Sequence, residues 1–397
     1  MDGTARFLYW RALPPFERCR CRFPVLRKEG SFIGFEQLSY DADRVSIVWK
    51  DGSAGEFHSL WLRDNDPVNR DGRTGQRLID VADLPLDVQI ERAVPAKNAL
   101  RVFWTDFVAA EFPLEWLREQ SCCSAIAPAP ELWRTDHGCL LHRFCYQKIR
   151  DSPKCRLDWL RAIATRGIAF LENVPPFDGQ TLEIASLIGW VRETNYGRVF
   201  DVRAVPNANN LAYTERALGL HTDNPYRDPV PGLQVLHALK PGKGGESLFA
   251  DGFAIADHLR ENDPGAFEIL SSTSVRFEFA DAQTRLAAER SIIELDREHD
   301  LSAIHYNSRS IAALRLPACK VEPFYRAYRV FALRLRDTIF VATTALREGE
   351  AVIFDNRRVL HGRAAFAGDT SRHLQGCYLE RDGLFSNLAL LEQECKG

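Results

Sequence analysis

The chain lacks three features that would place it in a restricted class of protein. No apolar run approaches the roughly 18 residues that a transmembrane helix needs, so we expect no membrane partner. The formal net charge is only -3 over 397 residues, which gives no electrostatic reason to expect nucleic acid as a partner. The ten cysteines have no even framework spacing, and a chain of this length does not need disulfide staples. We therefore expect reduced thiols in a cytoplasmic protein.

What remains is the composition of an ordinary globular protein, with 45% hydrophobic and 26% charged residues. Residues 1–30 stand apart, because arginines alternate there with aromatic residues. A transit peptide is one interpretation, but Asp2 and Glu17 interrupt the segment and no serine precedes Ser31. A non-native extension from a misplaced start is the other. We treat residues 1–30 as an extension of uncertain origin on which function does not depend.

Residues 31–118 contain short alternating apolar segments, such as 44–50 and 100–104, which are typical of β-strands. A Trp-Leu-Arg element follows the strands at Trp61 and again at Trp116, which indicates an internal pseudo-repeat. We predict a small β-rich accessory domain over 31–118. A linker with Ala-Pro-Ala-Pro composition follows over 119–140, and a second domain occupies 141–397.

His221-Thr222-Asp223 is the strongest chemical signal in the chain. On a strand, residues two apart project to the same face, so His221 and Asp223 can bind one metal ion while Thr222 turns away. A second histidine, His361, follows an apolar run and a polar turn, which places it on another short strand. Two histidines and a carboxylate form the facial triad of non-haem Fe(II) oxygenases, which leaves coordination positions open.

Each of these residues also has an ordinary explanation. A His-x-Asp pair alone is more often a surface turn or a helix cap, and an isolated arginine is usually a solvated charge. The order and spacing of His221, Asp223, His361 and Arg372 together favour the metal site. Arg372 adds a planar, permanently charged guanidinium that can bind a carboxylate through two hydrogen bonds.

From about residue 151 onward, the chain resembles the TauD-type Fe(II)/2-oxoglutarate dioxygenases, in particular their γ-butyrobetaine hydroxylase-like branch. The motifs that carry the resemblance are Asn210-Leu211-Ala212-Tyr213-Thr214, His221-Thr222-Asp223, Pro231-Gly232-Leu233-Gln234, Gly244-Gly245-Glu246-Ser247, Asp251-Gly252-Phe253, Phe354-Asp355-Asn356, Leu360-His361 and Ser371-Arg372-His373. The resemblance implies a mainly β catalytic domain, a double-stranded β-helix or jelly roll, with flanking helices near residues 254–260 and 323–331.

The same resemblance implies the cofactors. Fe(II) would be held by the three triad residues, with 2-oxoglutarate and dioxygen as cosubstrates. The residues assigned to 2-oxoglutarate are Arg372, Ser247 and Leu236. Relatives of this kind often form dimers, so a homodimer is also possible for this chain.

The accessory domain of this branch commonly holds a structural zinc through three cysteines and a histidine. The corresponding positions here are Asp66, Val68, Asp71 and a residue at or near Val108. A tetrahedral thiolate site cannot be rebuilt from these side chains, so we expect no structural zinc. The other interpretations are a hard-cation site that includes Asp64, or a solvated acidic turn, and the turn is favoured.

Aromatic residues suggest the substrate class. The family positions for a quaternary ammonium cage fall on Tyr196, Phe200, Tyr213 and Tyr378. A quaternary ammonium has no N–H to donate, so proteins surround it with aromatic faces. Any one of these residues taken alone is more simply a core aromatic, but four at matched positions favour a cage.

The other end of the substrate should be an anion, because the family positions Asn210 and Asn307 can donate hydrogen bonds. Arg309 adds a guanidinium that suits the extra charge and acceptor oxygens of a phosphonate. In this region the chain looks most like 2-trimethylaminoethylphosphonate dioxygenases. The alternative is that Arg309 is a surface charge beside a carboxylate pocket.

The sequence therefore favours a hydroxylase of a small trimethylammonium zwitterion. The leading candidate is 2-trimethylaminoethylphosphonate, hydroxylated at the carbon next to phosphorus in organophosphonate catabolism. The main alternative is a γ-butyrobetaine hydroxylase that forms carnitine. Lesser alternatives are a taurine- or sulfonate-type dioxygenase and a catalytically silent binder of quaternary ammonium compounds.

Overall fold

The computed structural model describes residues 34–121, 128–137, 142–203, 216–242, 244–365 and 372–395. Two compact units divide the chain, Met1–Ala125 and Ile126–Gly397. The extension over residues 1–30 lies outside the described residues.

The N-terminal unit contains the same arrangement twice. Its elements are β1 (Phe35–Tyr40), β2 (Arg44–Trp49), β3 (Ala54–His58), α1 (Ser59–Asp64), β4 (Ile90–Pro95), β5 (Ala99–Trp104), β6 (Ala109–Pro113) and α2 (Leu114–Ser121). The strands form two antiparallel sheets, β1-β2-β3 and β4-β5-β6, and each sheet leads into a helix. Alternate strand residues point inward, and Trp49 and Trp104 are buried at corresponding positions of the two sheets. The predicted internal repeat is therefore present.

The C-terminal unit combines two larger sheets with flanking helices and hairpins. Its strands are β7 (Arg143–Cys145), β8 (Ile168–Glu172), β9 (Val191–Arg192), β10 (Phe200–Arg203), β11 (Leu218–His221), β12 (Leu233–Lys240), β13 (Ser247–Asp251), β14 (Ser274–Ala280), β15 (Arg285–Ser291), β16 (Ile293–Leu295), β17 (Leu301–Ile304), β18 (Val341–Thr344), β19 (Ala351–Asp355), β20 (Val359–Arg363) and β21 (His373–Leu379). Its helices are α3 (Tyr146–Asp151), α4 (Pro153–Arg166), α5 (Gln180–Ser186), α6 (Gly252–Asn262), α7 (Pro264–Ser272), α8 (Ala318–Arg334) and α9 (Arg381–Glu394).

The two sheets form the expected jelly roll. One has the order β10-β21-β12-β19-β8-β7, with β9 also paired to β21, and the other has the order β11-β20-β13-β18. Their inner faces share an apolar core in which the Phe249 ring lies 5.8 Å from both Phe170 and Phe354. The prediction of a mainly β fold with flanking helices is confirmed, and the predicted helices over 254–260 and 323–331 lie within α6 and α8.

The helices begin and end where local chemistry dictates. In α4, the Ser152 side chain accepts a hydrogen bond from the Cys155 amide, Pro153 occupies the first turn, and Gly167 ends the helix in a left-handed conformation. The buried face of α4 packs in a core shared with α9 and with strands β8 and β19. Among the described residues, no helix is both long and apolar enough to cross a bilayer.

A buried ion pair fixes part of the predicted linker. Residues 128–137 are packed within the C-terminal unit, where the backbone amide of Trp133 donates to Asp251 Oδ2 over 3.1 Å. Arg358 binds the same carboxylate with two hydrogen bonds of 3.0 and 2.8 Å, and it also donates to the Glu131 carbonyl. This pair therefore connects β13, the turn after β19 and the linker stretch.

Candidate active site

The three predicted metal ligands lie together. The ligand atoms of His221, Asp223 and His361 are all within 4.8 Å of one another. His221 at the end of β11 is the register partner of His361 in β20. Because opposite residues of antiparallel strands are neighbours, this pairing brings the imidazole centroids to 4.3 Å.

Asp223 reaches the cluster by a different route from the one that the sequence predicts. We expected it to share a strand with His221, but β11 ends at His221 and Asp223 lies beyond it. Its backbone is held instead by Asn356, whose Oδ1 accepts from the Asp223 amide (2.6 Å) and whose Nδ2 donates to the Asp223 carbonyl (3.0 Å). A fully buried side chain from the turn after β19 therefore does what strand alternation was expected to do.

The protonation states of the cluster suit metal binding. Burial alone would raise the pKa of Asp223, but His361, His221 and the Tyr378 hydroxyl outweigh it and hold that pKa below its ordinary value. Burial, together with His221 and Arg309, lowers the pKa of His361 to about 3. The site therefore combines an ionised carboxylate with a neutral imidazole at His361, which is the form that coordinates a metal.

The surrounding contacts also fit a divalent iron ion. The Nδ1 of His221 lies 2.8 Å from the Gly219 carbonyl, which selects the tautomer that leaves Nε2 free to bind a metal. His361 has no such partner on Nδ1 among the described residues, and its ring packs against Phe354 at 4.8 Å. Two imidazoles and one carboxylate with open space beside them are the donor set that Fe(II) oxygenases use.

That open space is a cavity of about 440 Å³ that also contains the predicted 2-oxoglutarate residues, Arg372, Ser247 and Leu236. Arg372 is buried, and burial together with the charge of Arg363 lowers its pKa to about 10. The guanidinium remains charged at neutral pH and so can bind a carboxylate.

Arg363 is a cavity residue that the sequence analysis did not select. It lies two positions after His361 on β20, so strand alternation places the two side chains on the same face. That spacing was the signal that could have identified it. Arg363 donates to the Arg216 carbonyl over 2.9 Å.

Three of the four predicted cage residues line the cavity, namely Tyr196, Phe200 and Tyr378. The rings of Phe200 and Tyr378 have centroids 5.0 Å apart and are inclined at 37°. Gly376 is the register partner of Phe200, and a Cβ there would lie 2.7 Å from the Phe200 ring. The glycine thus makes room for the aromatic wall. Tyr213 and Asn210 lie outside the described residues.

Two further aromatic residues extend this wall. Phe279, from β14, stacks on Tyr226 with a centroid distance of 5.3 Å and lies 6.3 Å from Tyr196. Both line the cavity. Phe279 comes from a distant hairpin with no motif of its own, so no sequence signal pointed to it.

The two residues predicted for the anion end differ in their surroundings. Asn307 lines the cavity, but its Nδ2 donates to the Thr222 carbonyl (3.2 Å) and its Oδ1 accepts from the Arg309 amide (3.2 Å). Its side chain therefore holds the loop that carries Arg309. The Arg309 guanidinium lines the cavity and makes no hydrogen bond or ion pair with the described residues. Burial lowers its pKa, and the charge of Asp223 opposes that effect.

The positions of the family zinc site have other roles in the N-terminal unit. Asp66 Oδ1 accepts from the Val68 amide, and Asp71 Oδ1 accepts from the Thr74 amide. Val68 is an exposed hydrocarbon side chain with no donor atom for a metal. Asp64, part of the hard-cation alternative, is paired with Arg77. The side chains of Asp66 and Asp71 therefore stabilise turns in this segment.

A jelly-roll barrel with two histidines and a carboxylate at one cavity defines the class of non-haem iron oxygenases. Residues 143–378 match the family described as taurine catabolism dioxygenase TauD, TfdA family, and residues 36–107 match the gamma-butyrobetaine hydroxylase-like N-terminal family. The chain belongs to the TauD/TfdA family and is an Fe(II)/2-oxoglutarate-dependent dioxygenase.

Similar proteins align along almost the whole chain. Gamma-butyrobetaine dioxygenase from Pseudomonas sp. (strain AK-1) is 36% identical over 94% of this chain and 98% of its own. The Homo sapiens gamma-butyrobetaine dioxygenase is 30% identical over 89% of this chain and 95% of its own. The mitochondrial trimethyllysine dioxygenase of Bos taurus is 30% identical over 84% of this chain and 82% of its own.

Proposed function

We propose that the enzyme hydroxylates a small zwitterion with a trimethylammonium group, and that γ-butyrobetaine is the leading candidate. The observation that carries this proposal is the group of aromatic rings lining the cavity that holds the triad. The sequence favoured the phosphonate analogue. Similarity to gamma-butyrobetaine dioxygenases along nearly the full chain favours the carboxylate instead.

The cage suits a cation that cannot donate hydrogen bonds. A trimethylammonium group interacts with aromatic faces through electrostatic attraction, which strengthens when water is excluded. Tyr196, Phe200 and Tyr378 offer such faces, and Tyr226 and Phe279 continue them. A taurine-like sulfonate has a primary ammonium, which would be better served by hydrogen-bond acceptors than by these rings.

Other residues of the cavity would bind Fe(II), 2-oxoglutarate and the anionic end of the substrate. His221, Asp223 and His361 would hold Fe(II), which together with 2-oxoglutarate supplies dioxygen activation and the oxidising power for C–H hydroxylation. Arg372 would bind the distal carboxylate of 2-oxoglutarate. Arg309, whose guanidinium has no partner among the described residues, would bind the substrate anion. With the cation and the anion held at separate points, the substrate has one orientation, which decides which carbon faces the metal.

The phosphonate remains the second candidate because of Arg309. The Arg309 side chain lines the cavity with no hydrogen-bond or ion-pair partner for its guanidinium among the described residues, so it can neutralise the additional charge of a phosphonate. A carboxylate would use the same group, so the geometry allows both anions.

The test is succinate formation by Fe(II)-loaded enzyme with 2-oxoglutarate, with NMR to identify the product. The substrates are γ-butyrobetaine, 2-trimethylaminoethylphosphonate, trimethyllysine and taurine at matched concentrations. We expect the highest kcat/KM for γ-butyrobetaine, and we expect Arg309→Gln to raise KM for both zwitterionic anions. Faster turnover of the phosphonate would select the second candidate. Turnover of taurine alone, or binding of all of them without turnover, would overturn the proposal.

A further inference from the structure

Tyr378 has two contacts that belong to different parts of the site. Its ring packs against Phe200 in the aromatic wall, and its hydroxyl lies 2.8 Å from Asp223 Oδ2. The residue is on β21, opposite Gln234 of β12, and its side chain is buried. One side chain thus connects the substrate wall to a predicted metal ligand.

The direction of this hydrogen bond is fixed by chemistry. A carboxylate that binds a metal ion is deprotonated, and its oxygens can only accept hydrogen bonds. A tyrosine phenol keeps its proton at neutral pH and so can donate to the carboxylate oxygen 2.8 Å away. Tyr378 therefore donates to Asp223, and this hydrogen bond is charge-assisted.

The hydrogen bond from Tyr378 restrains rotation of the Asp223 carboxylate. Asn356 already holds the Asp223 backbone on both its amide and its carbonyl. The side chain can still turn about its own bonds, and its Oδ1 lies 3.2 Å from His221 Nε2. With Oδ2 fixed by the phenol, the carboxylate keeps Oδ1 directed at the centre of the cluster.

We propose that Tyr378 is a positioning residue for the Asp223 carboxylate, in addition to forming part of the aromatic wall. This inference rests on the proposed assignment of Asp223 as a ligand of Fe(II). Because one side chain serves both parts, the conformation of the wall and the affinity of the metal site are coupled. The Tyr378 hydroxyl orients the metal ligand Asp223, and the Tyr378 ring contributes an aromatic face for the substrate cation.

Removal of the hydroxyl separates the two roles. Tyr378→Phe keeps the ring against Phe200 but leaves Asp223 Oδ2 without its donor. Loss of a partner that orients a metal ligand typically weakens metal affinity about 10- to 100-fold. We therefore expect weaker Fe(II) binding, with the affinity of the metal-saturated enzyme for γ-butyrobetaine changed by less than about threefold, since the aromatic face is retained.

The experiment is an anaerobic titration of metal-free protein with Fe(II), which gives the dissociation constant without turnover. The variants are Tyr378→Phe, Asp223→Ala and a matched control, Tyr196→Phe, a second phenol of the cavity wall that makes no hydrogen bond to Asp223 among the described residues. We expect a rise of at least about tenfold in the dissociation constant for Tyr378→Phe, none for Tyr196→Phe, and loss of specific binding for Asp223→Ala. The visible charge-transfer absorbance of the Fe(II)–2-oxoglutarate complex should also shift in Tyr378→Phe but not in Tyr196→Phe.

The outcomes separate this inference from the proposed function. If Asp223→Ala loses Fe(II) and Tyr378→Phe binds it as the wild type does, the positioning role is wrong and the ligand assignment stands. If Asp223→Ala binds Fe(II) normally, the ligand assignment itself is wrong. Thermal unfolding of the metal-free proteins provides the structural check. If Tyr378→Phe and Tyr196→Phe lose the same Fe(II) affinity and the same unfolding temperature, the effect is one of packing. That result would overturn the inference.

Discussion

The two units of this chain place their polar side chains differently. In the described part of the N-terminal unit, Ser59, Asn65 and Asp66 are the buried polar residues, and ion pairs such as Arg118–Asp51 are exposed. In the C-terminal unit, buried histidines, arginines and amides gather around one cavity, among them His221, Asn307 and Arg372. Burial of such groups is unfavourable unless each is paired.

This difference explains how each unit achieves a stable structure. The N-terminal unit repeats one apolar pattern, and Trp49 and Trp104 fill corresponding places in its core. The C-terminal unit gives many of its buried polar groups specific partners, such as Arg358 for Asp251 and Asn356 for Asp223. Substitutions at buried polar positions should therefore have larger effects in the C-terminal unit than surface substitutions in the N-terminal unit.

The largest effect is expected at the triad. His361→Ala should lower kcat/KM for 2-oxoglutarate turnover by more than about 10³-fold, because a bound metal contributes several kcal/mol to catalysis. The matched histidine is His58, which caps α1 by accepting from the Leu60 amide. His58→Ala should lower the free energy of unfolding by about 1 kcal/mol and leave turnover unchanged. Retained activity in His361→Ala would exclude it as a ligand.

The next largest effect is expected at the buried ion pair. Arg358→Ala leaves the Asp251 carboxylate charged and without its bidentate partner, and both side chains are at most 3% exposed. The free energy of unfolding of the C-terminal unit should fall by roughly 3–5 kcal/mol, as measured by urea denaturation. The control is Arg326, whose ion pair with Glu322 is largely exposed. Arg326→Ala should change the free energy of unfolding by less than about 1 kcal/mol. Equal effects would contradict the role given to burial.

A smaller effect is expected behind the aromatic wall. Gly376→Ala places a methyl group 2.7 Å from the Phe200 ring and should displace that ring from Tyr378. Because cation–π attraction contributes about 1–2 kcal/mol in a desolvated site, we expect the dissociation constant for γ-butyrobetaine to rise about tenfold. Gly265→Ala in α7, where the new methyl group would make only an ordinary contact of 3.9 Å with Asp263 Oδ1, should leave the dissociation constant for γ-butyrobetaine unchanged. An unaltered dissociation constant in Gly376→Ala would remove Phe200 from the cage.

The smallest effect is expected at the surface of the N-terminal unit. Arg77→Ala breaks a partly exposed pair with Asp64, so the free energy of unfolding of this unit should change by about 0–1 kcal/mol. Turnover should not change. A loss of several kcal/mol would show that the segment containing Asp66 and Asp71 depends on this pair more than its exposure suggests.

The sequence predicted those parts of the site that depend on local pattern. His361 and the turn before it follow from an apolar run and the polar residues after it. The jelly roll with its flanking helices was implied by the family resemblance, and it is confirmed. The route by which Asp223 reaches the cluster was predicted wrongly, because Asn356 reaches it from a distant turn.

Contacts between residues that are distant in sequence could not be predicted. Phe279 and Tyr226 meet only after a hairpin folds beside the cavity, and no spacing in the sequence encodes that contact. Asn307 shows the reverse case, since a family position suggested a substrate contact and the structure gives its amide a partner in the backbone of Thr222. Residue type and family position suggest candidates for a site, whereas hydrogen-bond partners show which groups remain available.

The proposed function requires the cavity to select a quaternary ammonium group beside the iron site. The most direct measurement compares kcat/KM for γ-butyrobetaine with that for its carbon isostere, in which a tert-butyl group replaces trimethylammonium. The two have the same shape and differ only in charge. We predict that the charged substrate is preferred by at least roughly tenfold, because cation–π attraction in a desolvated cage contributes about 2 kcal/mol or more. Equal turnover of the two, or preference for the neutral isostere, would contradict the claim.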